Sequence, residues 1–168
     1  MLRPLVLTGG PAVGKSSCAR ALALAQPRAA VVDADDVRQL VVAGAAAPWQ
    51  GPEGRAQLAL GARNAAALAR GFHAAGFAVV VADVVTPATA AIYRAELPEC
   101  LLVHLRIALA GARQRAATRP VHLTDEEFVL LHRWDTADPP RADVLLDVDG
   151  LSLAEQVTAV RARWRAGL

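Results

Sequence analysis

Residues 5–23 read LVLTGGPAVGKSSCARALA and contain the only lysine of the chain, Lys15. Every other basic residue is an arginine, including those in segments where a lysine would serve equally well, so position 15 calls for an ammonium in particular. Gly9, Gly14, Lys15 and Ser16 match G-x-x-x-x-G-K-[ST], a loop whose backbone N–H groups surround a polyphosphate while the lysine reaches its outer phosphates. A compact charge on a flexible stem suits that task better than a planar guanidinium. Gly10, Pro11, Ala12 and Val13 fill the loop and Ser17 follows it, so all of residues 9–17 are expected against the phosphates of a nucleotide. The flanks agree with this reading. PLVLT before the loop is a short apolar run of the kind that forms a buried parallel strand, and residues 17–25 are an alanine-rich helix former. A helix starting there turns its positive dipole end toward the phosphate.

The composition extends the same picture. At 168 residues the chain has the length of one domain with a full core. It is 54% hydrophobic but only 4% aromatic, so its core is expected to be built of Val, Leu and Ala, as in a parallel sheet covered by helices on both faces. A net charge of +2 is too small to imply a nucleic-acid or anionic-membrane partner. Cys18 and Cys100 read as buried free thiols in a reducing compartment. The N-terminus lacks the charged, apolar and cleavage regions of a signal peptide, and no apolar run reaches the roughly 18 residues of a membrane span. A soluble, cytoplasmic protein is expected.

Working outward, short apolar runs predict strands at residues 5–8, 30–33, 78–82, 101–106 and 144–147. Between them helices are predicted at about 15–25, 36–43, 55–75, 87–96, 109–118 and 125–134, with a last one at 153–165. Thr124 with Glu127, and Ser152 with Glu155, have the spacing of capping boxes. Strand and helix in alternation predict an α/β fold: a three-layer, doubly wound, five-stranded parallel sheet, whose ligands sit beyond the carboxyl ends of the strands. The chain is taken as a single domain, residues 1–168, with a small helical lid at about 108–135. Four carboxylates, Asp33, Asp35, Asp36 and Asp83, are then expected near one mouth.

A bound triphosphate needs a divalent cation, and magnesium takes oxygen ligands while keeping several waters. Ser16 is the hydroxyl ligand of the motif, and Asp83, ending the apolar run FAVVVAD, has the position of the Walker-B carboxylate. Transfer of a phosphoryl group to an alcohol also needs a group that orients the hydroxyl and takes its proton. Asp35 and Asp36 are the candidates, one facing the cleft and the other capping the helix that starts there, while Asp33 is a candidate for the water shell of magnesium. Arg115 and Arg119 are spaced i, i+4 and share a helix face, from which they can stabilise the moving charge. Arg113 points elsewhere on that helix. Trp49, Glu53 and Arg55, in the Pro/Gly-rich loop PWQGPEGR and the turn after it, are taken for the acceptor side. His104, His122 and His132 have no metal-ligand spacing, and Ser16, Ser17 and Ser152 are the only serines, none of them in a G-x-S-x-G elbow. A guanine-reading N-K-x-D element is impossible because the one lysine is already used, so ATP is the expected nucleotide.

With these residues in place, the chain resembles the small P-loop kinases of the chloramphenicol phosphotransferase-like and polynucleotide-kinase-like kind, which are similar to gluconate, shikimate and adenylylsulfate kinases. GGPAVGKSS resembles the phosphate loop of the chloramphenicol enzyme, and DADDVRQL its strand-two element. The resemblance implies that Asp35, the first of the Asp pair, is the base. Residues 51–85, with Gly-Pro-Glu before a long helix and an aspartate after the third strand, are similar to the same enzyme, and RAATR, residues 115–119, resembles its lid arginines. Strand three departs from it in reading Ala82-Asp83 where that enzyme has two acids. The resemblance implies an ATP- and magnesium-dependent O-phosphotransferase acting on a small hydroxylated molecule such as an antibiotic or nucleoside-like natural product. Two rival readings stand beside it. A polynucleotide 5′-hydroxyl kinase would need a basic track with aromatic stacking platforms, for which this composition provides little. A nucleotide-dependent switch or ATPase would have less need of Asp35 and of the lid arginines.

Overall fold

The strands form where β-branched and leucine side chains run together, and their alternation sends neighbouring residues to opposite faces. The computed structural model describes residues 1–118 and 123–166. β1 (Leu5–Thr8), β2 (Ala29–Asp33), β3 (Ala78–Ala82), β4 (Leu101–Arg106) and β5 (Val144–Asp147) make one parallel sheet in the order β2-β3-β1-β4-β5. β1 is central, with Val6 opposite Val81 of β3 on one side and Leu102 of β4 on the other. Chain connections leave β1 toward both edges, so the loop after it opens into the crevice at the carboxyl end of the sheet.

Period-two alternation divides the interior into two cores. Leu5 and Leu7 of β1 join Leu101, Val103 and Leu105 beneath α1 (Lys15–Leu24), α5 (Leu109–Ala116), α6 (Asp125–Ala137) and α7 (Leu153–Ala166). Val6 points the other way, with Val79, Val81 and Leu102, toward α2 (Ala34–Arg38), α3 (Gly51–Ala74) and α4 (Pro87–Glu96). Full burial of a Val or Leu is worth roughly 1.5–3 kcal/mol, and these strand residues are almost all sealed from solvent. α3 meets the sheet through Ala62, Ala65, Ala66 and Ala69, small side chains that let a long helix lie close. The aromatic residues are few but buried where they close the cores: Trp164 of α7 also donates its indole N–H to the Arg3 carbonyl at 2.7 Å, fastening the last helix to the first strand.

Element boundaries depart from the sequence expectation where a side chain intervenes. α2 starts earlier than predicted because the Asp33 carboxylate accepts the Asp35 N–H (3.0 Å) and caps it. It ends at Arg38, and the chain then runs as a flap over the start of α3. A Cβ at Gly54 would lie 1.9 Å from the Ala47 carbonyl oxygen, so the flap is pressed directly onto the helix backbone. α3 begins at Gly51 rather than near Arg55, since Pro52 in its first turn needs no N–H partner. Both predicted capping boxes form, Thr124 with Glu127 and Ser152 with Glu155. A third, Thr86 with Thr89, opens α4; a threonine in place of the usual Glu or Gln hides it from a pattern reading. No helix among the described residues is long and apolar enough to cross a membrane.

Candidate active site

Between β1 and α1 the backbone turns on two glycines whose conformation leaves no choice of residue. Gly9 has φ +144°, and a Cβ there would meet the Leu105 carbonyl oxygen at 2.3 Å; Gly14 has φ +94° and precedes the first turn of α1. The Lys15 ammonium donates to the Gly9 and Gly10 carbonyls at 2.7 and 3.0 Å. Burial lowers its pKa, opposed by the carboxylates of Asp35, Asp135, Asp83 and Asp33. A cation desolvated in this way, held by two carbonyls and facing several carboxylates, is poised to exchange the carbonyls for the stronger acceptors of a phosphate.

The carboxylates take different places. The Ser16 hydroxyl donates to Asp33 at 2.6 Å, so the oxygen partner of the loop serine is Asp33 rather than Asp83. This hydroxyl and carboxylate fit the oxygen preference of magnesium. Asp83, sealed beneath the crevice, accepts from Arg38 Nη1 (2.8 Å), from the Val84 N–H (2.8 Å) and from the Tyr93 hydroxyl (2.8 Å). Its oxygens are therefore engaged with Arg38, Val84 and Tyr93, where the sequence expectation had them on magnesium or its water shell. Burial pushes the Asp83 carboxyl up, against the pull of Arg38 and of the Tyr93 hydroxyl. The Arg38 guanidinium is desolvated as well, yet Asp83 and Asp35 together hold its proton more firmly than usual.

Arg38 reaches both carboxylates because α3 offers Gly61 below it, where a Cβ would sit 2.8 Å from Arg38 Cγ. Its Nη2 pairs with Asp35, whose side chain is 67% exposed and lines the main cleft together with Lys15 and Ser16. Asp36 is exposed and outside that lining, and the cap of α2 is Asp33, so neither of the two roles given to the Asp pair falls to Asp36.

The cleft has a volume of about 900 Å³ and runs from the phosphate loop between the flap, α3 and α6. Trp49 lines it, and so do Trp134, Leu60, Gln39, Asn64 and Thr86, which the sequence did not single out. Glu53 and Arg55 do not reach the lining among the described residues. Glu53 instead accepts from Gln57 Nε2 (2.8 Å), and Gln57 binds the flap through the Ala46 N–H (2.9 Å) and the Gly44 carbonyl (2.8 Å). A second cavity of about 300 Å³ lies on the other side of the loop, lined by Gly14, Ser17, Arg115, Thr118, Leu153 and Gln156 among others.

Arg115 is placed otherwise than expected. Its Nη1 donates to the Val13 carbonyl (2.8 Å) and to Gln156 (3.0 Å), and its Nη2 to the Val148 and Leu151 carbonyls (2.9 and 2.7 Å). These bonds occupy the guanidinium and tie the phosphate loop to the segment after β5, so Arg115 braces the loop rather than reaching toward the main cleft. Arg113 pairs with Asp125 at the surface, away from the loop. Arg119 and His122 lie outside the described residues. Beside the loop, His104 Nε2 within β4 lies 2.9 Å from Asp135 of α6, and Asp135 in turn lies against Gly10. Sequence reading missed Arg38, although its i, i+3 spacing from Asp35 and the glycine within a long helix are its traces; for the His104–Asp135 pair no local signal exists.

No protein-family model matches the chain, and no curated protein matches it. Solved structures do. A sugar kinase from Janibacter sp. superposes with a TM-score of 0.72 at 17% identity, over 99% of this chain and 95% of that one. A gluconokinase from Sinorhizobium meliloti gives 0.70 at 20%, over 98% and 92%, and the tunicamycin resistance protein of Deinococcus radiodurans gives 0.66 at 15%, over 96% and 95%. At these identities the likeness is one of fold: the chain has the five-stranded parallel α/β fold of the small P-loop kinases of the gluconate and shikimate kinase kind.

Proposed function

We propose that the protein is an ATP-dependent O-phosphotransferase acting on the hydroxyl of a small molecule. The observation that carries this reading is that Asp35, a solvent-accessible carboxylate, lines the same cleft as Lys15 and Ser16. The backbone N–H groups of residues 9–17, Pro11 excepted, cradle the polyphosphate, and Lys15 leaves the Gly9 and Gly10 carbonyls to meet the outer phosphates. The smaller cavity, bordered by Ser17, Thr118 and Leu153, takes the base of the nucleotide. Magnesium would be held by Ser16, with Asp33 contacting it directly or through a water, and when bound it neutralises charge on the outer phosphates. In this reading Asp83 acts through Arg38, keeping the guanidinium that aims Asp35.

Asp35 accepts a hydrogen bond from the acceptor hydroxyl and takes its proton as the oxygen attacks the γ-phosphorus. The new P–O bond forms while the bond to the β-phosphate oxygen breaks, and ADP leaves with that electron pair. Arg119 is assigned to the charge that spreads over the moving phosphoryl oxygens, on a lid formed by residues 108–135 within a single domain. Trp49 contributes a wall of the acceptor site, and Glu53 and Arg55 act at one remove from it, Glu53 by steadying Gln57 and the flap. An antibiotic or nucleoside-like natural product is the acceptor to test first, in a cytoplasmic setting and without nucleic acid. The test is to incubate the protein with ATP, magnesium and a panel of antibiotics, nucleosides and sugars. A product heavier by one phosphoryl group is expected; free phosphate alone with every acceptor would leave a switch or ATPase.

A further inference from the structure

A carboxylate beside a phosphate loop opposes the charge of the ligand that the loop receives, and α6 puts one there. Asp135 Oδ2 lies 3.6 Å from where a Cβ of Gly10 would stand. The Asp135 side chain is only 8% exposed, and both its oxygens face His104 Nε2, at 2.9 and 3.0 Å. His104 is itself sealed within β4, opposite Thr8, the last residue of β1 before the loop. From this cluster we infer that Asp135, held by His104, is a positioning residue: it docks α6 on the empty loop and gives way when polyphosphate arrives. The inference rests on the phosphotransferase reading and adds to it the contact through which the acceptor wall follows the nucleotide.

The electrostatics favour release. In the empty loop the Lys15 ammonium balances Asp135, one of the carboxylates that hold its proton against burial. Polyphosphate takes that ammonium for itself and brings several negative charges to the same loop, so a buried Asp135 is left against like charge. The helix gives it no help: Asp135 stands in the last turn of α6, at the negative end of the dipole, and no basic residue accompanies it in that turn. While α6 is docked, His104 Nδ1 is also buried without a partner among the described residues, so the pair bears a cost of its own. A ligand that meets the docked and released arrangements with different affinity shifts the balance toward the one it prefers. α6 passes the shift on because its docking face and its cleft face alternate. His132 and Asp135 point to the β4 side, His132 donating to the Ile107 carbonyl at 3.0 Å, while Leu131 and Trp134 line the main cleft. Moving Asp135 therefore moves Trp134.

Inorganic tripolyphosphate with magnesium tests this, because it engages the phosphate loop without a base. In the full chain carrying Trp49→Phe, the remaining indoles are Trp134 on the cleft wall and Trp164, which is buried in the core. Binding of tripolyphosphate to this parent is expected to move Trp134 emission to longer wavelength as α6 leaves the loop. Asp135→Asn keeps the shape and a hydrogen bond to His104 but removes the charge. By calorimetry it should bind tripolyphosphate about tenfold tighter, with a smaller change in Trp134 emission. A residue with a purely structural part would do the reverse and weaken binding. Trp134→Phe in the same background should abolish the emission change and leave the affinity unaltered, which assigns the signal. Equal or weaker binding by a folded Asp135→Asn variant overturns the inference, as does a Trp134 emission that tripolyphosphate leaves unchanged in the parent. Urea unfolding shows whether the variant is folded; if it is not, the emission of the parent decides alone. Neither overturning result touches the phosphotransferase reading, which fails separately if ATP with magnesium does not bind or if no alcohol gains phosphate from it.

Discussion

At the scale of single residues, two aspartates one position apart divide sharply. Asp35 lines the cleft and is aimed by Arg38, whereas Asp36 is exposed outside it. Asp35→Asn should lower kcat about 10²- to 10⁴-fold, the range for loss of a general base, and leave ATP affinity nearly unchanged. Asp36→Asn should retain most of the activity. Steady-state kinetics with an alcohol that gains phosphate from ATP, alongside nucleotide titration, measure both quantities; comparable losses at the two positions would remove Asp35 from the role of base. The arginines teach the complementary lesson. Arg115 has the spacing of a catalytic pair with Arg119, yet its four bonds to Val13, Gln156, Val148 and Leu151 make it a brace of the phosphate loop. Charge type was readable in the sequence, but whether the charge was still available was not.

At the scale of elements, the flap and the start of α3 act as one unit. Gly54 lies in the first turn of that helix with the Ala47 carbonyl against its Cα, and Gln57, one turn on, bonds the flap at Gly44 and Ala46. Helix propensity by itself makes Gly54→Ala stabilising, by up to about 1 kcal/mol. A Cβ placed 1.9 Å from a backbone oxygen makes the opposite sign the expected one, a loss of about 1–3 kcal/mol unless the flap moves away. Either response displaces Trp49, so the variant should bind acceptor more weakly while its ATP affinity is retained. Urea unfolding and acceptor titration distinguish the outcomes, and a stabilised variant with normal acceptor affinity would mean that the flap does not rest on α3 in solution.

At the scale of the whole molecule, two cores on opposite faces of one sheet hold the thiols out of reach. Burial pushes the Cys18 thiol from an ordinary value of 9.0 up to about 12, and Cys100 is raised as well. At pH 8 a disulfide reagent such as DTNB should leave native protein unlabelled and titrate both thiols after unfolding. The same shift fixes a pH dependence. Between pH 9 and about 12 the unfolded chain releases the Cys18 proton that the fold retains, so unfolding loses protons and stability falls as pH rises through this window. Cys18→Ala should flatten the decline by at most about 1.4 kcal/mol per pH unit, read from urea midpoints at pH 8, 9 and 10. An unchanged slope would show that the thiol already ionises in the native state. The phosphate loop, the five strands and the two faces they bury were legible in the sequence because each is a local pattern: consecutive residues in the loop and alternation of period two along a strand. What only the tertiary structure decided is which charges remain free. Arg38 meets Asp83 across 45 positions and Arg115 meets Val13 across 102. Such pairings follow from the strand order β2-β3-β1-β4-β5 and from glycines that let side chains and backbone approach. A guanidinium spent on a buried partner and one waiting for a ligand are the same letter in a sequence, and their difference lies entirely in what the fold brings within 3 Å of them.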